Sequence, residues 1–211
     1  METLDSFMER LSSPSPAPGG GAASAMVSIT AASLVSMVAS LTKSKKSYSG
    51  YREEMEHIEK KSISIRKELR ELMAEDEEAF NLIVKAWGMD KSTEDNARLR
   101  KKEIEKASKT AISVPWKIAR ASYSIIEMAE LISRHGIKSA ITDSACAGLF
   151  AESAIKGVLY NVSINLKSIE SVEFREMEEI KMKLFLENAS EIMKKIDANT
   201  MRILKPEVEK Q

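Results

Sequence analysis

Cysteine is almost absent from this sequence, since Cys146 is the only one among 211 residues. A single cysteine excludes an internal disulfide framework, and Cys146 lies in the apolar stretch SACAGLF, where packing is a more ordinary role than nucleophilic chemistry. Histidine is also rare: the sequence has only His57 and His135, with no cysteine at ligand spacing around them, so no metal site is expected. With no basic and apolar leader, the chain is predicted to be cytoplasmic.

The chain has no excess charge of either sign, because 32 Lys and Arg residues balance 32 Asp and Glu residues. No broad field therefore favours nucleic acid, and an anionic partner has to be small. Residues 19–42 contain no charge at all, which is long enough to span a bilayer. Its serine and threonine residues and its many alanines lower the hydrophobicity of this segment, so it is predicted to be a buried helix and not a membrane span.

Alternating runs of β-branched residues between turn clusters, which are typical of strands, are missing as well. After Pro18 the only prolines are Pro115 and Pro206, and most of the chain follows a 3.6-residue hydrophobic period. The sequence therefore predicts an all-α fold, a single-domain bundle of long helices over residues 1–211. The predicted helices cover residues 3–11, 21–41, 51–87, 93–135 with a kink or restart at Pro115, 143–168 and 172–204, and a polar tail follows.

The longest predicted helix carries one continuous core-facing seam, with alternating spacings of three and four residues. Asp76 falls on this seam, whereas its three glutamate neighbours are free to point to water. Burial without a cationic partner raises the pKa of a carboxyl group, as a general acid at neutral pH requires. Asp76 is therefore a candidate proton donor, and the alternative is a structural carboxylate that pairs with Lys or Arg or lines a subunit contact. The seam comprises Met55, Ile58, Ser62, Ile65, Leu69, Leu72, Asp76, Ala79, Ile83 and Ala86.

Proline and glycine, which are scarce elsewhere, are concentrated in the stretch SSPSPAPGGGAASAM at residues 12–26. Prolines stiffen an extended approach, glycines expose backbone N–H groups, and the small residues that follow start a helix. A positive helix N-terminus behind such a turn suits an anion or a flat ring. A flexible linker ahead of the domain is the alternative interpretation. The stretch lacks the Gly-Lys-Ser/Thr ending of a P-loop, and no strand precedes it as a dinucleotide fingerprint needs.

Three further groups of polar residues are candidates for ligand binding. Asp143 follows Thr142 at a predicted helix start, where an aspartate commonly serves as a cap. Asn161 and Asn165 lie one turn apart on one helix face, so their amides are able to converge on a ligand, although buried asparagines also satisfy backbone groups. The third group is a cationic cluster at the end of the small-residue helix, which comprises Lys43, Lys45, Lys46 and Arg52. Such a cluster is suited to bind carboxylates, and the alternative is an ordinary solvated surface.

Six motifs, taken in order, resemble the cyclodeaminase/cyclohydrolase family of folate one-carbon metabolism: SPAPGGGAASA, MVASLTKSKKSY, EDEEAF, ISVPWKIAR, ITDSACAG and GVLYNVSINLKSI. The family includes formiminotetrahydrofolate cyclodeaminase, which is the C-terminal part of formiminotransferase-cyclodeaminase, and methenyltetrahydrofolate cyclohydrolase. The resemblance covers nearly the whole chain. The sequence departs from the family at Ser44, where a glycine is frequent, and at residues 137–139, where the family has asparagine-rich segments.

The resemblance implies an all-helical homodimer, a tetrahydrofolate substrate, no metal or redox cofactor, and Asp76 of the EDEEAF motif as the proton donor. The glycine turn would border the folate site and give a flat ring access to the backbone. Lys45 and Lys46 would attract the glutamyl carboxylates of the substrate, including a polyglutamylated one. The substrate-binding residues implied in this way are Pro18, Gly19, Gly20, Gly21, Lys45, Lys46, Tyr48, Asp143, Asn161 and Asn165.

Two reactions at the carbon that bridges N5 and N10 fit the resemblance. A cyclodeaminase releases ammonia from 5-formiminotetrahydrofolate and forms 5,10-methenyltetrahydrofolate, and a separate formiminotransferase would supply its substrate. A cyclohydrolase adds water to 5,10-methenyltetrahydrofolate and forms 10-formyltetrahydrofolate. The sequence does not distinguish the two reactions, and the alternative from another class is a non-catalytic helical protein of the same fold that binds folate or a protein partner.

Overall fold

A computed structural model describes residues 3–205, which form six α-helices and two short 3₁₀ helices and contain no strand. The all-α prediction is confirmed, and the predicted helix boundaries agree with the observed ones to within a few residues. The polar tail predicted after Leu204 lies outside the described residues, apart from Lys205. The helices are α1 (Leu4–Ser12), α2 (Gly20–Lys43), α3 (Arg52–Trp87), α4 (Glu94–His135), α5 (Ile141–Leu166) and α6 (Val172–Leu204), and the 3₁₀ helices are Lys46–Tyr51 and Lys138–Ala140.

Helix α2 lies at the centre of the bundle and packs against α3, α4 and α5. Its core side chains are mostly alanine, and this lack of bulk lets neighbouring backbones come close. Helix α5 contributes two glycines to such contacts. A Cβ on Gly157 would lie 2.8 Å from Ser24 Oγ of α2, and a Cβ on Gly148 would lie 2.7 Å from Ile196 Cδ1 of α6. Helix α5 is thereby held tightly between α2 and α6.

Among the described residues, α2 is the one helix with the length and apolar composition to cross a bilayer. Half of its most apolar stretch is buried inside the bundle. Ala25, Ala32 and Ala39 on this helix have no exposed surface, as expected for a core helix of this fold.

The seam predicted on α3 agrees with the structure position by position. Every member except Asp76 is buried, and Asp76 is half-buried. Helices α2 and α4 of the same chain pack against α3. Apart from Asp76, the chain itself therefore covers the seam, which leaves no seam surface for a second subunit.

Pro115 lies inside α4, for which the sequence predicted either a kink or a restart at this residue. The helix continues from Glu94 to His135, so it does not restart. Because proline has no N–H, the carbonyl of Ala111, four residues earlier, loses its helical partner. The side-chain amide of Asn165, on α5, donates to this carbonyl at 3.0 Å and to the carbonyl of Asn161 at 2.9 Å. The proline thus creates a backbone acceptor that a neighbouring helix satisfies, and this bond fixes Asn165.

Helix α5 begins two residues earlier than predicted, at Ile141, and its cap position belongs to Ala140. Asp143 lies in the first helical turn, so the prediction that it caps the helix is wrong. The reason is the 3₁₀ helix Lys138–Ala140, which leads directly into α5 and moves the helix start upstream. A carboxylate in a first turn still interacts favourably with the helix dipole.

We expect Asn165→Leu to lower the free energy of unfolding by about 1–3 kcal/mol, because it leaves the Ala111 carbonyl buried without a donor. In a Pro115→Ala background the new backbone N–H supplies that donor, so the same replacement should cost less. Urea denaturation of the four chains in this double-mutant cycle measures the coupling. Additivity to within about 0.5 kcal/mol would show that Asn165 does not compensate for Pro115.

Candidate active site

A cavity of about 250 Å³ opens beside the N-terminus of α2. It is enclosed by the glycine turn, the middle and end of α3, one position of α4 and the C-terminal half of α5. The residues that line it are Pro16, Ala17, Gly19, Gly20, Gly21, Asp76, Glu77, Phe80, Ile83, Trp87, Ala111, Asn161, Ile164, Asn165 and Ser168.

Asp76 is the titratable side chain that distinguishes this cavity. Burial raises the pKa of its carboxyl group to about 6; the backbone N–H of Ala22 lowers it and the nearby charge of Glu77 raises it, both by less. No Lys, Arg or His among the described residues forms an ion pair with Asp76. The alternative that Asp76 is a structural carboxylate paired with a cation is therefore wrong, and a carboxyl group able to hold a proton near neutral pH faces the cavity.

The position of Asp76 depends on the absence of a side chain at Gly21. A Cβ on Gly21 would lie 2.3–2.5 Å from the carboxylate atoms of Asp76, which is closer than such atoms approach. Gly19, at the N-cap of α2, has no side chain to bond the free N–H groups of the first turn. The carboxylate of Asp76, which interacts with the Ala22 N–H from another helix, takes that role.

The two asparagines predicted to face a ligand both line the cavity, but their amides differ. The NH₂ group of Asn165 donates to the carbonyls of Ala111 and Asn161, so only its Oδ1 is available to a ligand. Asn161 lies beside Gly20 and its side chain has no hydrogen-bond partner among residues 3–205. Asn161 is therefore free to donate and to accept, whereas Asn165 offers an acceptor alone.

Several lining residues were not predicted. Pro16 and Ala17 face the cavity, whereas the buried Pro18 is not among its lining residues. Phe80 and Trp87 follow Asp76 by four and eleven positions and so share its side of α3, a periodicity that would have identified them. Glu77, expected to point to water, is half-buried and pairs with Arg10 at 2.6 Å.

Four predicted residues lie elsewhere in the same chain. Lys45, Lys46 and Tyr48 follow the C-terminus of α2, and a 24-residue helix places them roughly 36 Å from its glycine end. Tyr48 instead accepts a hydrogen bond from the backbone N–H of Lys138 at 3.3 Å. Asp143, in the first turn of α5, is distant from the asparagines at the other end of that helix. Within one chain, these four side chains therefore do not join the cavity that contains Asp76.

A second cavity, of about 680 Å³, lies between α1, α2 and α3 and shares Glu77 with the first. Its lining is largely apolar, and its charged members are two arginines and two glutamates, of which Arg10 and Glu77 form an ion pair. The smaller cavity is the better candidate for chemistry, because it contains a carboxyl group with a raised pKa and no cationic partner.

Comparison with known proteins identifies the family of this chain. A family model described as formiminotransferase-cyclodeaminase matches residues 3–184. The chain belongs to this family. It is 34% identical, over 83% of its length and 84% of the relative's, to a methenyltetrahydrofolate cyclohydrolase from Methylorubrum extorquens. A solved formiminotetrahydrofolate cyclodeaminase from Thermotoga maritima is 30% identical, with a TM-score of 0.81 over 96% of each chain.

Larger relatives contain the matched region as one part. The chain is 30% identical to a formimidoyltransferase-cyclodeaminase from Dictyostelium discoideum over 90% of its own length, and it spans about a third (34%) of that protein. The predicted family is thus confirmed, and with it an enzyme of folate one-carbon metabolism. The predictions of a cytoplasmic location and of no metal or redox cofactor stay predictions.

We expect Gly21→Ala to displace the Asp76 carboxylate without harming the fold. An alanine in a helix is more favourable than a glycine by up to about 1 kcal/mol, so the thermal midpoint should stay or rise. A displaced carboxylate regains water, so its pKa should fall from about 6 towards 3.8, as a carbon-13 NMR titration of the carboxyl group would measure. The matched variant is Gly20→Ala, whose Cβ would lie 3.6 Å or more from Asn161, an ordinary contact. An unchanged Asp76 pKa in Gly21→Ala would contradict the steric argument.

Proposed function

We propose that this member of the family acts at the carbon that bridges N5 and N10 of tetrahydrofolate, with Asp76 as the group that transfers the proton. The observation that carries the proposal is the carboxyl group itself. Its pKa is raised to about 6 by burial, it has no cationic partner among the described residues, and it borders a small cavity beside bare backbone. Such a group exchanges its proton readily near neutral pH, as general acid–base catalysis requires.

In ammonia release, N10 attacks the formimino carbon on N5, the N10 proton passes to the imino nitrogen, and a tetrahedral centre that carries an amino group forms between the two ring nitrogens. The amino group on this centre leaves as ammonia once it has gained a proton, which Asp76 supplies. The product is the cationic 5,10-methenyl ring, and the carboxylate that remains lies beside it. The same residue therefore first donates a proton and then offers a negative charge to the ring.

In hydrolysis, the methenyl carbon gains water and the tetrahedral adduct opens to the 10-formyl product. Asp76 in its ionised form accepts a proton from the attacking water, and it returns a proton to N5 as the bond from carbon to N5 breaks. The remaining hydroxyl proton leaves to solvent as the formyl C=O forms. Both reactions need one carboxyl group that changes its protonation state within a turnover. The main contributions of the site are orientation of the ring and this transfer, which typically contributes about 10² to 10⁴-fold.

The cavity suggests how the ring system is held. Gly19 and Gly20 leave backbone exposed along one wall, so a flat ring can approach closely, while the buried Gly21 contacts Asp76. Asn161 and Asn165 supply amide groups to its polar edge. If the reaction is ammonia release, a formiminotransferase must first load N5, so the proposal includes such a transferase as a functional partner.

The proposal is tested by offering purified protein either 5-formiminotetrahydrofolate or 5,10-methenyltetrahydrofolate and following the absorbance of the methenyl form. Its appearance from the first substrate shows ammonia release, and its accelerated loss from the second shows hydrolysis. No change with either substrate would contradict the proposed function and support the non-catalytic alternative.

Asp76→Asn should lower turnover at least about 10²-fold, the lower end for a lost general acid or base, while folate binding changes little. Wild-type kcat/KM for ammonia release should fall as the pH rises through about 6, because the free enzyme then loses the required proton. If Asp76→Asn kept the wild-type turnover, Asp76 would not be the group that transfers the proton.

Stability gives an independent control with a defined sign. The folded-state pKa of Asp76 is above its unfolded value of 3.8, so ionisation opposes folding. Asp76→Asn should therefore have a higher thermal midpoint than the wild type above pH 6, and the difference should vanish as the pH falls to about 4. A variant that is less stable than the wild type above pH 6 would show that the ionised carboxylate stabilises the fold, contrary to the burial argument.

We also propose that the chain forms a homodimer through the outer face of α2 and α5. Gly20 lies beside Asn161 and Gly157 beside Ser24, so the two helices are antiparallel neighbours. Large apolar side chains on their outer sides remain exposed: Met37 by 40%, Phe150 by 38% and Tyr160 by 63%. Helix α2 offers no charged residue before Lys43, so a second copy with the same face is a fitting partner.

A glutamate in this face, in Met37→Glu or Phe150→Glu, should reduce the solution mass towards that of one chain, because burying a charge at the contact is costly. Light scattering after size-exclusion chromatography measures the mass. Ile180→Glu, at an exposed apolar position of α6, is the matched control. A wild-type mass of one chain at all concentrations would refute the dimer, and dissociation by Ile180→Glu alone would place the contact on α6.

A further inference from the structure

A third cavity, of about 490 Å³, adjoins the candidate active site. The two cavities share Trp87 and Ser168, so the second begins where the first ends. We call the four cationic side chains that line it the cationic patch. They are Arg100 and Lys101 of α4, Lys167 after α5, and Arg175 of α6.

The two arginines of the patch are held by backbone and not by acids. Arg100 donates through Nε and Nη2 to the carbonyl of Trp87, both at 3.1 Å. Arg175 donates through Nη1 to the carbonyl of Ile169 at 3.1 Å. These bonds orient both guanidinium groups and leave their charges without a neutralising carboxylate.

With its two lysines, the patch has more positive than negative charge, since four cationic side chains lie near one carboxylate. Lys101 pairs with Glu170, which is the one carboxylate among the lining residues. The side chain of Lys167 has no partner among the residues that the structure describes. An arginine that binds the last carbonyl of a helix, as Arg100 does, is commonly a cap. That role does not explain why four cationic side chains line a cavity with one carboxylate. The chain as a whole has no net charge, so this excess is local.

The size of the active-site cavity indicates why a neighbouring site is needed. At about 250 Å³ it is below the roughly 300–1,000 Å³ that ligand pockets usually occupy. It can take the reacting ring system, and the rest of a folate has to leave through an adjoining cavity. The 680 Å³ cavity has balanced charges, with Arg10 bound to Glu77 at its border. The cavity with the cationic patch is the one whose charge suits carboxylates.

Trp87 connects the two cavities. Its side chain is 50% exposed although it is a large aromatic group at the end of α3. An exposed ring at this junction offers a stacking surface for the aminobenzoyl group, which lies between the reacting ring and the glutamyl tail of a folate. Arg100 holds the backbone carbonyl of the same residue, so the aromatic surface and the patch are coupled.

We propose that the cationic patch binds the carboxylates of the substrate's γ-glutamyl tail, with Trp87 against the aminobenzoyl group. This inference rests on the proposed function, since it assumes a folate in the adjoining cavity. It assigns the tail to Arg100, Lys101, Lys167 and Arg175 of the same chain. Lys45 and Lys46, which the sequence suggested for this role, lie at the far end of α2.

The test compares mono- and pentaglutamylated substrate with the double variant Lys101→Gln, Lys167→Gln. These two positions are chosen because neither side chain binds backbone, so the fold should persist. We expect KM for the pentaglutamate to rise about 3- to 10-fold from the loss of two exposed charge contacts, and KM for the monoglutamate to rise less. The effect should fall on KM and not on kcat, because the tail contacts are the same in the ground and transition states.

Two control variants make the result decisive. Lys183→Gln with Lys194→Gln removes two exposed lysines of α6 away from the patch and should not change the ratio of the two KM values. The double variant Lys45→Ala, Lys46→Ala tests the alternative that these two lysines bind the glutamyl tail. Loss of the tail preference in that variant, with none in Lys101→Gln, Lys167→Gln, would overturn the proposal.

Direct binding of the tail separates this proposal from the proposed function. The probe is p-aminobenzoyl-penta-γ-glutamate, measured by calorimetry against its monoglutamyl form. If the wild type binds the pentaglutamate more tightly and the patch variant does not, the patch is supported even when neither folate is turned over. If the wild type turns over folate but binds both probes equally, the function stands and the patch proposal fails.

Discussion

The Asp76 carboxylate lies against the uncapped N-terminus of α2, and the rest of the site depends on this contact. It needs Gly21 to have no side chain, and it needs α3 to present a carboxylate on its buried seam. The backbone N–H of Ala22 lowers the pKa of Asp76, while burial raises it by more. One helix end is therefore capped by a group from another helix, at a pKa suited to proton exchange.

Small residues make this contact sterically feasible. Helix α2 has alanines on the sides that face its neighbours, so α3 and α5 can approach until their side chains surround the glycine turn. The close approach at Gly157 and the contact between Gly20 and Asn161 set how far α5 is from that turn. The volume of the cavity is thus decided by the absence of bulk on the central helix, and a bulkier helix would separate the groups that need to meet.

Periodicity predicted the fold and the partial burial of Asp76, because burial follows the seam of α3 and Asp76 is on that seam. It did not predict that Asn165 donates to a carbonyl freed by Pro115, since that bond joins two helices whose relative position is not encoded in local spacing. Trp87 was missed because its exposed ring lies outside the buried seam, although its spacing of eleven residues from Asp76 places it on the same side of α3. The family resemblance implied that Lys45 and Asp76 share one site, whereas the length of α2 separates them within one chain.

Pro115 couples the completion of one helix to the docking of another. Until α5 is in place, the carbonyl of Ala111 has no donor in its own helix, so α4 can shield that carbonyl from water only at a cost. Once Asn165 arrives, the backbone of α4 is satisfied and a wall of the cavity forms at the same moment. A partly folded chain would therefore contain neither a finished α4 nor this cavity, and this restricts ligand binding there to molecules that have completed assembly of the bundle.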